Sequence, residues 1–361
     1  MKTKLNNVIS IIVDNRGKNP PYYVKNGIPI IDNYLIFNNY YPNIKNVNRY
    51  IDLDTYKHFI RMKTIKDDVL LTLVGNGLGN CCLSPENTTI IQNTIGLRCK
   101  NEIMLQKFLY YTLISHTDAI KGLNRGASQP SAKVSDILSM EIEVPNLPTQ
   151  QHIVDSIGSV DDAIEKNEGI IEKIKAYGNK LFSTTDASEC IDTNNILNFE
   201  KGIEIGSTNY YNKEIENSIP YIRVGNLLNN TYDTFCIDNN YKKCSYDDIL
   251  IAFDGAPGRN SIGLCGVYSS GIYKVKCNNQ LKGFVYFYIN SNLCQDTIKQ
   301  NSQGTTILHA SKSIKLLKIP HIDNVILTNQ FNNLYNLLIG LYKKQTSLKR
   351  IKQNLLNKYF D

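Results

Sequence analysis

The chain has 361 residues, 42% hydrophobic and 20% charged, with a formal net charge of +7. That length supports two or three domains, each able to bury its own core. No apolar run approaches the roughly 18 residues that would cross a membrane. The opening MKTKLNNVISIIVDNRGK holds too short an apolar stretch for a secretory signal, so the expected location is cytoplasmic. Nine cysteines, an odd number without a C-x-x-C pair, read as free thiols in a reducing compartment.

Residues 1–147 read as a mixed globular region with 17 basic and 12 acidic side chains. Asp68–Val74 is a β-rich apolar run ending in a glycine turn, Leu105–Ile114 a short helix with an aromatic face, and Ile142–Val144 an edge strand. A long helix is expected over 148–184, with Pro148 in its first turn and Thr149 as its cap. STTDAS, from Ser183, reads as a linker. A second globular region covers 185–320, and residues 186–320 carry 13 basic and 13 acidic side chains. It repeats the same signals at Asp248–Phe253, Leu281–Ile289 and Leu316–Ile319. A second helical segment fills 321–361, capped from Thr328-Asn329. The two helical segments have opposite charge, −2 over 148–185 and +4 over 321–361, which favours their pairing.

The chain repeats itself. Gln151–Phe182 recurs as Gln330–Phe360, and Ile157, Val160, Ile164, Ile171 and Ile174 fall on Leu334, Leu337, Leu341, Leu348 and Ile351, all 177 residues apart. The globular regions repeat more loosely. DVLLTLVGNGLGN from Asp68 matches DILIAFDGAPGRN from Asp248, GIPII from Gly27 resembles SIPYI from Ser218, and Gly126-Ala127-Ser128 corresponds to Gly304-Thr305-Thr306. The expected fold is α+β, with two pseudo-repeated globular domains joined by two long antiparallel coiled-coil helices. The helix-pair core is expected at Ile157, Val160, Ile164, Asn167, Ile171 and Ile174, facing Leu334, Leu337, Leu341, Lys344, Leu348 and Ile351, with Asn167 and Lys344 as a central polar layer. Ile153, Ile170, Leu338 and Ile339 lie off this seam and are expected to be free for partner docking. A helix of about 31 residues spans about 47 Å, on the order of one to one and a half turns of duplex DNA at ~3.4 Å per base pair.

The order head–helix–head–helix, the Pro145…Gln150-Gln151 and Pro320…Gln330 helix starts, the glycine turns after DVLLTLV and DILIAFD, and the Asn-Lys-x-Phe helix ends at Asn179–Phe182 and Asn357–Phe360 carry a family resemblance across the whole chain. The chain resembles the specificity subunit of a type I restriction–modification system. The resemblance implies two target-recognition domains, 1–147 and 185–320, each reading one half of a bipartite site in double-stranded DNA. It implies that the spacer helices act as a ruler and dock two methyltransferase subunits, through which restriction/translocase subunits join. It implies no catalytic residue, metal or cofactor on this chain, with S-adenosylmethionine, ATP and Mg2+ held by the partners.

Two motifs tempt a different reading. NPPY at Asn19–Tyr22 is the tetrapeptide with which N6-adenine methyltransferases hold their target base, and VGNGLG at Val74–Gly79 resembles a cofactor loop. NPPY follows a polar stretch rather than an apolar strand, however, and the glycine loop recurs as DGAPG, which points to turns in a shared scaffold. Five histidines show no metal spacing. Arg, Lys, Gln and small hydroxyl residues in the loops are the candidates for phosphate and base contacts: Arg16, Lys18, Lys25, Arg125, Ser128, Gln129 and Lys133 in the first region, and Lys201, Lys213, Arg223, Arg259, Gln303, Thr305, Thr306 and Lys312 in the second. The neutral charge of the second region requires a local basic patch there. Two other readings are the recognition subunit of a fused methyltransferase–nuclease and a coiled-coil scaffold that binds no DNA.

Overall fold

The computed structural model describes residues 1–185, 189–304 and 308–360. The chain forms two compact units, Met1–Ala163 with Arg350–Asp361, and Ile164–Lys349. The long helices Leu147–Ser183 and Val325–Phe360 each contribute to both.

The first unit is built on a four-stranded antiparallel sheet in the order Ile9–Val13, Thr94–Cys99, Val69–Thr72, Cys81–Leu83. Val69–Thr72 lies between two partners and is buried on both faces, which is why it reads as a continuous apolar run. Side-chain alternation divides it. Val69 and Leu71 face the helix Gln106–Ser115, where Phe108, Leu109, Tyr110 and Tyr111 are buried, while Leu70 packs with Val13, Ile31 and Leu35 on the other side. The second unit repeats this sheet as Asn198–Lys201, Ile272–Lys276, Ile249–Ala252, Asn260–Ser261. Ile249 and Ile251 face the helix Lys282–Ile289, and Leu250 and Ala252 face away. In each unit a small antiparallel pair closes the fold, Lys2–Lys4 with Glu141–Glu143 and Cys190–Asp192 with Lys318–Pro320.

The units differ in what they add. The first adds a short hairpin, Ile28–Pro29 with Tyr50–Ile51. The second adds a mixed sheet in the order Phe235–Ile237, Ser218–Ile222, Gly266–Tyr268, Lys243–Cys244, with one parallel pairing. The paired acids act in turns in both units. Asp68 accepts the Ile65 N–H and a bidentate contact from Arg98, and Asp248 accepts the Ser245 N–H.

Glu200, in the first strand of the second unit, is held down to about 2 by Lys276 and the Tyr268 hydroxyl. Its ordinary value is 4.5, so the stabilisation is complete above that pH and disappears as pH falls through about 2. Glu200→Gln is expected to flatten the acid limb of this unit's melting curve between these values. An unchanged limb would show that the ion pair does not contribute.

Both long helices begin on an asparagine rather than on the expected threonines. Asn146 Oδ1 accepts the Thr149 N–H at 2.9 Å, and Asn324 Oδ1 accepts the Leu327 N–H at 3.0 Å, so Thr149 and Thr328 lie inside their helices. Asn is a strong cap because its short side chain reaches the free N–H groups of the first turn. The helices pair antiparallel within each unit. In the first, His152 lies against Tyr359, and Lys352 meets Asp161. In the second, Asn167 meets Gln345, and Phe182 meets Phe331.

The first helix presents the expected seam, with Ile157, Asn167 and Ile171 buried and Val160, Ile164 and Ile174 half-buried. In the second helix the frame is displaced by one residue. Phe331, Tyr335, Leu338, Gln345 and Leu356 are buried, whereas Leu337, Lys344 and Ile351 are exposed and Leu334, Leu341 and Leu348 flank the contact. The cause is the globular region. Phe331 packs with Phe284 and Phe287, and Tyr335 packs with Tyr286, so this helix turns an aromatic face inward. Asn167 therefore pairs with Gln345, donating to its Oε1 at 2.8 Å and to the Leu341 carbonyl at 3.0 Å, and not with Lys344. Ile153, Leu338 and Ile339 are buried in the cores of their units and are not free for docking; of the four off-seam residues only Ile170 is exposed.

Candidate nucleic-acid interface

In the first unit the chain after Thr72 turns through Gly75 and Gly79, both at positive φ. At Gly75 (φ +99) a side chain would be strained. The turn is tied to the loop that precedes the helix Val134–Leu138: Gly75 N–H donates to the Pro130 carbonyl at 2.8 Å, and Val74 bridges Ser131. The second unit repeats this arrangement. Gly255 (φ +80) donates to the Leu308 carbonyl at 2.8 Å, and Asp254 bridges His309. Each unit thus presents a glycine turn beside a polar return loop. The turns close on their own backbone, with Gly79 N–H on Thr72 and Gly258 N–H on Ala252, as expected of scaffold turns rather than of a cofactor loop.

The return loop of the first unit holds Arg125, Ser128 and Gln129, all exposed, and Lys133 directly precedes the helix that follows. Arg125 is steered by Asp136 at 2.8 Å. Arg16, Lys18 and Lys25 lie in the separate loop after Val13. Arg16 is a bidentate partner of Asp14, Lys18 sits 5.3 Å above the Phe59 ring, and Lys25 is exposed. NPPY lies in this same irregular loop, and Tyr22 hydroxyl donates to Asp52.

In the second unit Lys201 and His309 both approach Asp254, at 3.9 and 2.8 Å. Arg259 donates to the Val224 carbonyl, and Gln303 pairs with His309 through the backbone. Lys201, Arg223, Arg259, Gln303 and Lys312 therefore lie on the segments that build or adjoin the Gly255 turn. Exposed Lys213 lies in the loop before Ser218–Ile222. Thr305 and Thr306 lie outside the described residues.

The sequence reading passed over a polar pocket of about 310 Å³ beside the first glycine turn, lined by Asp32, Asn33, Tyr34, Arg49, Gln92 and Asn93. A Cβ on Gly75 would lie 3.4 Å from Asn33 Nδ2 and 3.7 Å from Gln129 Nε2, so pocket and return loop share this turn. Arg49 donates from Nε and Nη2 to the two oxygens of Asp32 and from Nη1 to Tyr23 hydroxyl at 3.1 Å, with its guanidinium 5.2 Å from the Tyr23 ring. Asp32 raises the Arg49 pKa further above its ordinary value. Among the described residues no group of three or more His, Cys, Asp or Glu is placed to hold a metal ion, and no helix is long and apolar enough to cross a membrane.

The two units thus repeat one frame and differ in the polar loops that it carries. Residues 2–176 match the model of the type I restriction modification DNA specificity domain. The chain is 25% identical over 353 residues to a type I specificity subunit of Mycoplasma genitalium, covering 88% of this chain and 84% of that protein. It is 28% identical over 160 residues to the specificity subunit of the type I restriction enzyme MjaVIII of Methanocaldococcus jannaschii, covering 41% of this chain and 36% of that one. The crystal structure of a type I S subunit from M. genitalium matches with a TM-score of 0.55 and 20% identity, covering 100% of this chain and 96% of the other, which shows the fold. The matched domain spans most of the first unit and runs into the first long helix.

Proposed function

We propose that each unit reads one half of a bipartite, asymmetric DNA site through its glycine turn and return loop, with 1–147 and 185–320 as the target-recognition domains. The spacer helices, 148–184 and 321–361, set the unread gap and dock two methyltransferase subunits, through which restriction/translocase subunits join in the cytoplasm. S-adenosylmethionine, ATP and Mg2+ then belong to those partners. The observation that carries this reading is the equivalence of the Gly75–Pro130 and Gly255–Leu308 hydrogen bonds. One frame is used twice while the side chains around it differ. In the second unit Lys201, Arg223, Arg259 and Lys312 supply the local basic patch that its neutral charge requires.

Affinity from such patches depends on released counterions and falls with salt. The full chain with its methyltransferase is expected to retard duplex DNA with a steep salt dependence. Replacing Arg259 and Lys312 by alanine should reduce the slope of log K against log salt by about one for each phosphate left without its cation. Retardation that is absent at every salt concentration would favour the protein scaffold.

A further inference from the structure

We propose that the polar pocket of the first unit is a guanine-reading site, in which Arg49, held by Asp32, donates to O6 and N7 of one base in the major groove. This rests on the proposed DNA-reading role and assigns part of it to a named pocket.

The guanidinium carries five N–H donors. Asp32 takes one from Nε and one from Nη2, and Tyr23 hydroxyl takes one from Nη1. Among the described residues this leaves one N–H on each terminal nitrogen. Two free donors, one from each terminal nitrogen, match in number the paired O6 and N7 acceptors of guanine. The Asp32 carboxylate is nine-tenths buried while the Arg49 side chain is one-third exposed. The anchor is therefore inside while the arginine keeps surface open to a ligand, so little side-chain freedom is lost on binding.

The surroundings favour a base over a phosphate. Asp32 balances the charge of Arg49, and the remaining lining is neutral: Asn33, Tyr34, Asn48, Gln92 and Asn93. A charge-balanced pocket has little long-range attraction for a phosphate, but it offers amide donors and acceptors to neighbouring base edges. Its place beside the Gly75 turn joins it to Gln129 of the return loop.

The second unit lacks this site. GIPII and SIPYI are 191 residues apart, and the same offset carries Asp32 to Arg223 and Asn33 to Val224. The structure agrees: Val224 stands beside Gly255, as Asn33 stands beside Gly75. The acid that would anchor an arginine is replaced by an arginine, and the amide by an apolar side chain. This arginine–carboxylate reading device is therefore expected at one half-site only.

The test is selection of bound duplexes from a randomised pool by the full chain with its methyltransferase, followed by titration of the selected site. Replacing the key guanine by 7-deazaguanine keeps base pairing and removes N7. It is expected to weaken binding about 10-fold, and Arg49→Lys should abolish preference at that position while the other half-site is still selected. If wild type selects a site but 7-deazaguanine at each guanine in turn has no effect, the guanine pocket is wrong and the DNA-reading role stands. If Arg49→Lys weakens all duplexes equally and lowers the salt slope by about one, Arg49 contacts phosphate and the proposal is overturned. If wild type selects no sequence, the DNA-reading role itself fails. Should Arg49→Lys not fold, the 7-deazaguanine arm decides with the native chain.

Discussion

Lys352→Ala is expected to lower the melting temperature of the first unit by about 10 °C. Lys352 Nζ lies 2.7 Å from Asp161 Oδ1, and Tyr111 hydroxyl donates to Asp161 Oδ2 at 2.8 Å. Asp161 is 3% exposed, so loss of the lysine leaves a buried carboxylate with one neutral donor. Uncompensated buried charge costs about 3–5 kcal/mol, and each kcal/mol moves a domain of this size by roughly 2–4 °C. The ammonium also lies 5.6 Å from the Tyr110 ring, which adds to the loss. The intact pair is a different matter, because its desolvation offsets most of its attraction. Replacing all three groups, Asp161→Leu with Lys352→Met and Tyr111→Phe, should restore most of the stability. The repeat places buried Leu338 at the position equivalent to Asp161. If the single variant melts like wild type in calorimetry, the pair is not buried in solution.

Gly178→Ala is expected to destabilise the second unit, against the sign that helix propensity alone would give. Glycine inside an exposed helix costs about 1 kcal/mol relative to alanine. At Gly178, however, an added Cβ would lie 2.1 Å from Phe287 Cε1, and both residues belong to the second unit's core region. Overpacking of this kind costs about 1–3 kcal/mol, which outweighs the propensity gain. Gly169, in the same helix, has nothing within 4 Å of a Cβ. Gly169→Ala should therefore raise stability where Gly178→Ala lowers it. Two variants that both stabilise would show that the first helix does not approach Phe287. Gly178→Ala combined with Phe287→Leu should recover part of the loss by giving the methyl room.

The doubling was legible in the sequence because its strongest signals lie close together in the chain. The strand-and-glycine-turn motif at Asp68 and Asp248 recurs intact, as do the aromatic helices that follow, and both sheets form in the same strand order. The frame of the second long helix was not legible. Leu334, Leu337 and Leu341 are more hydrophobic than Tyr335, Tyr342 and Gln345, so periodicity favours the leucines. The helix packs against a globular region as well as its partner helix, and aromatic groups such as Phe331 and Tyr335 satisfy both neighbours. The same limit hid Asp161 and Lys352, since a buried ion pair has no periodic signature. The pocket drew no attention for another reason. Asn33, Arg49 and Gln92 come from three separate loops, and only the fold brings them together. One trace was present: aligning GIPII with SIPYI sets Asp32 against Arg223, a charge reversal within an otherwise shared stretch.

Two unlike recognition surfaces on one frame are expected to read two unlike half-sites. Sequencing of modified bases in the genome that encodes this chain tests it most directly. Methylation is expected at a discontinuous, asymmetric motif, two short read clusters separated by an unread gap of constant length. A continuous motif, or a palindrome read identically from both halves, would contradict it.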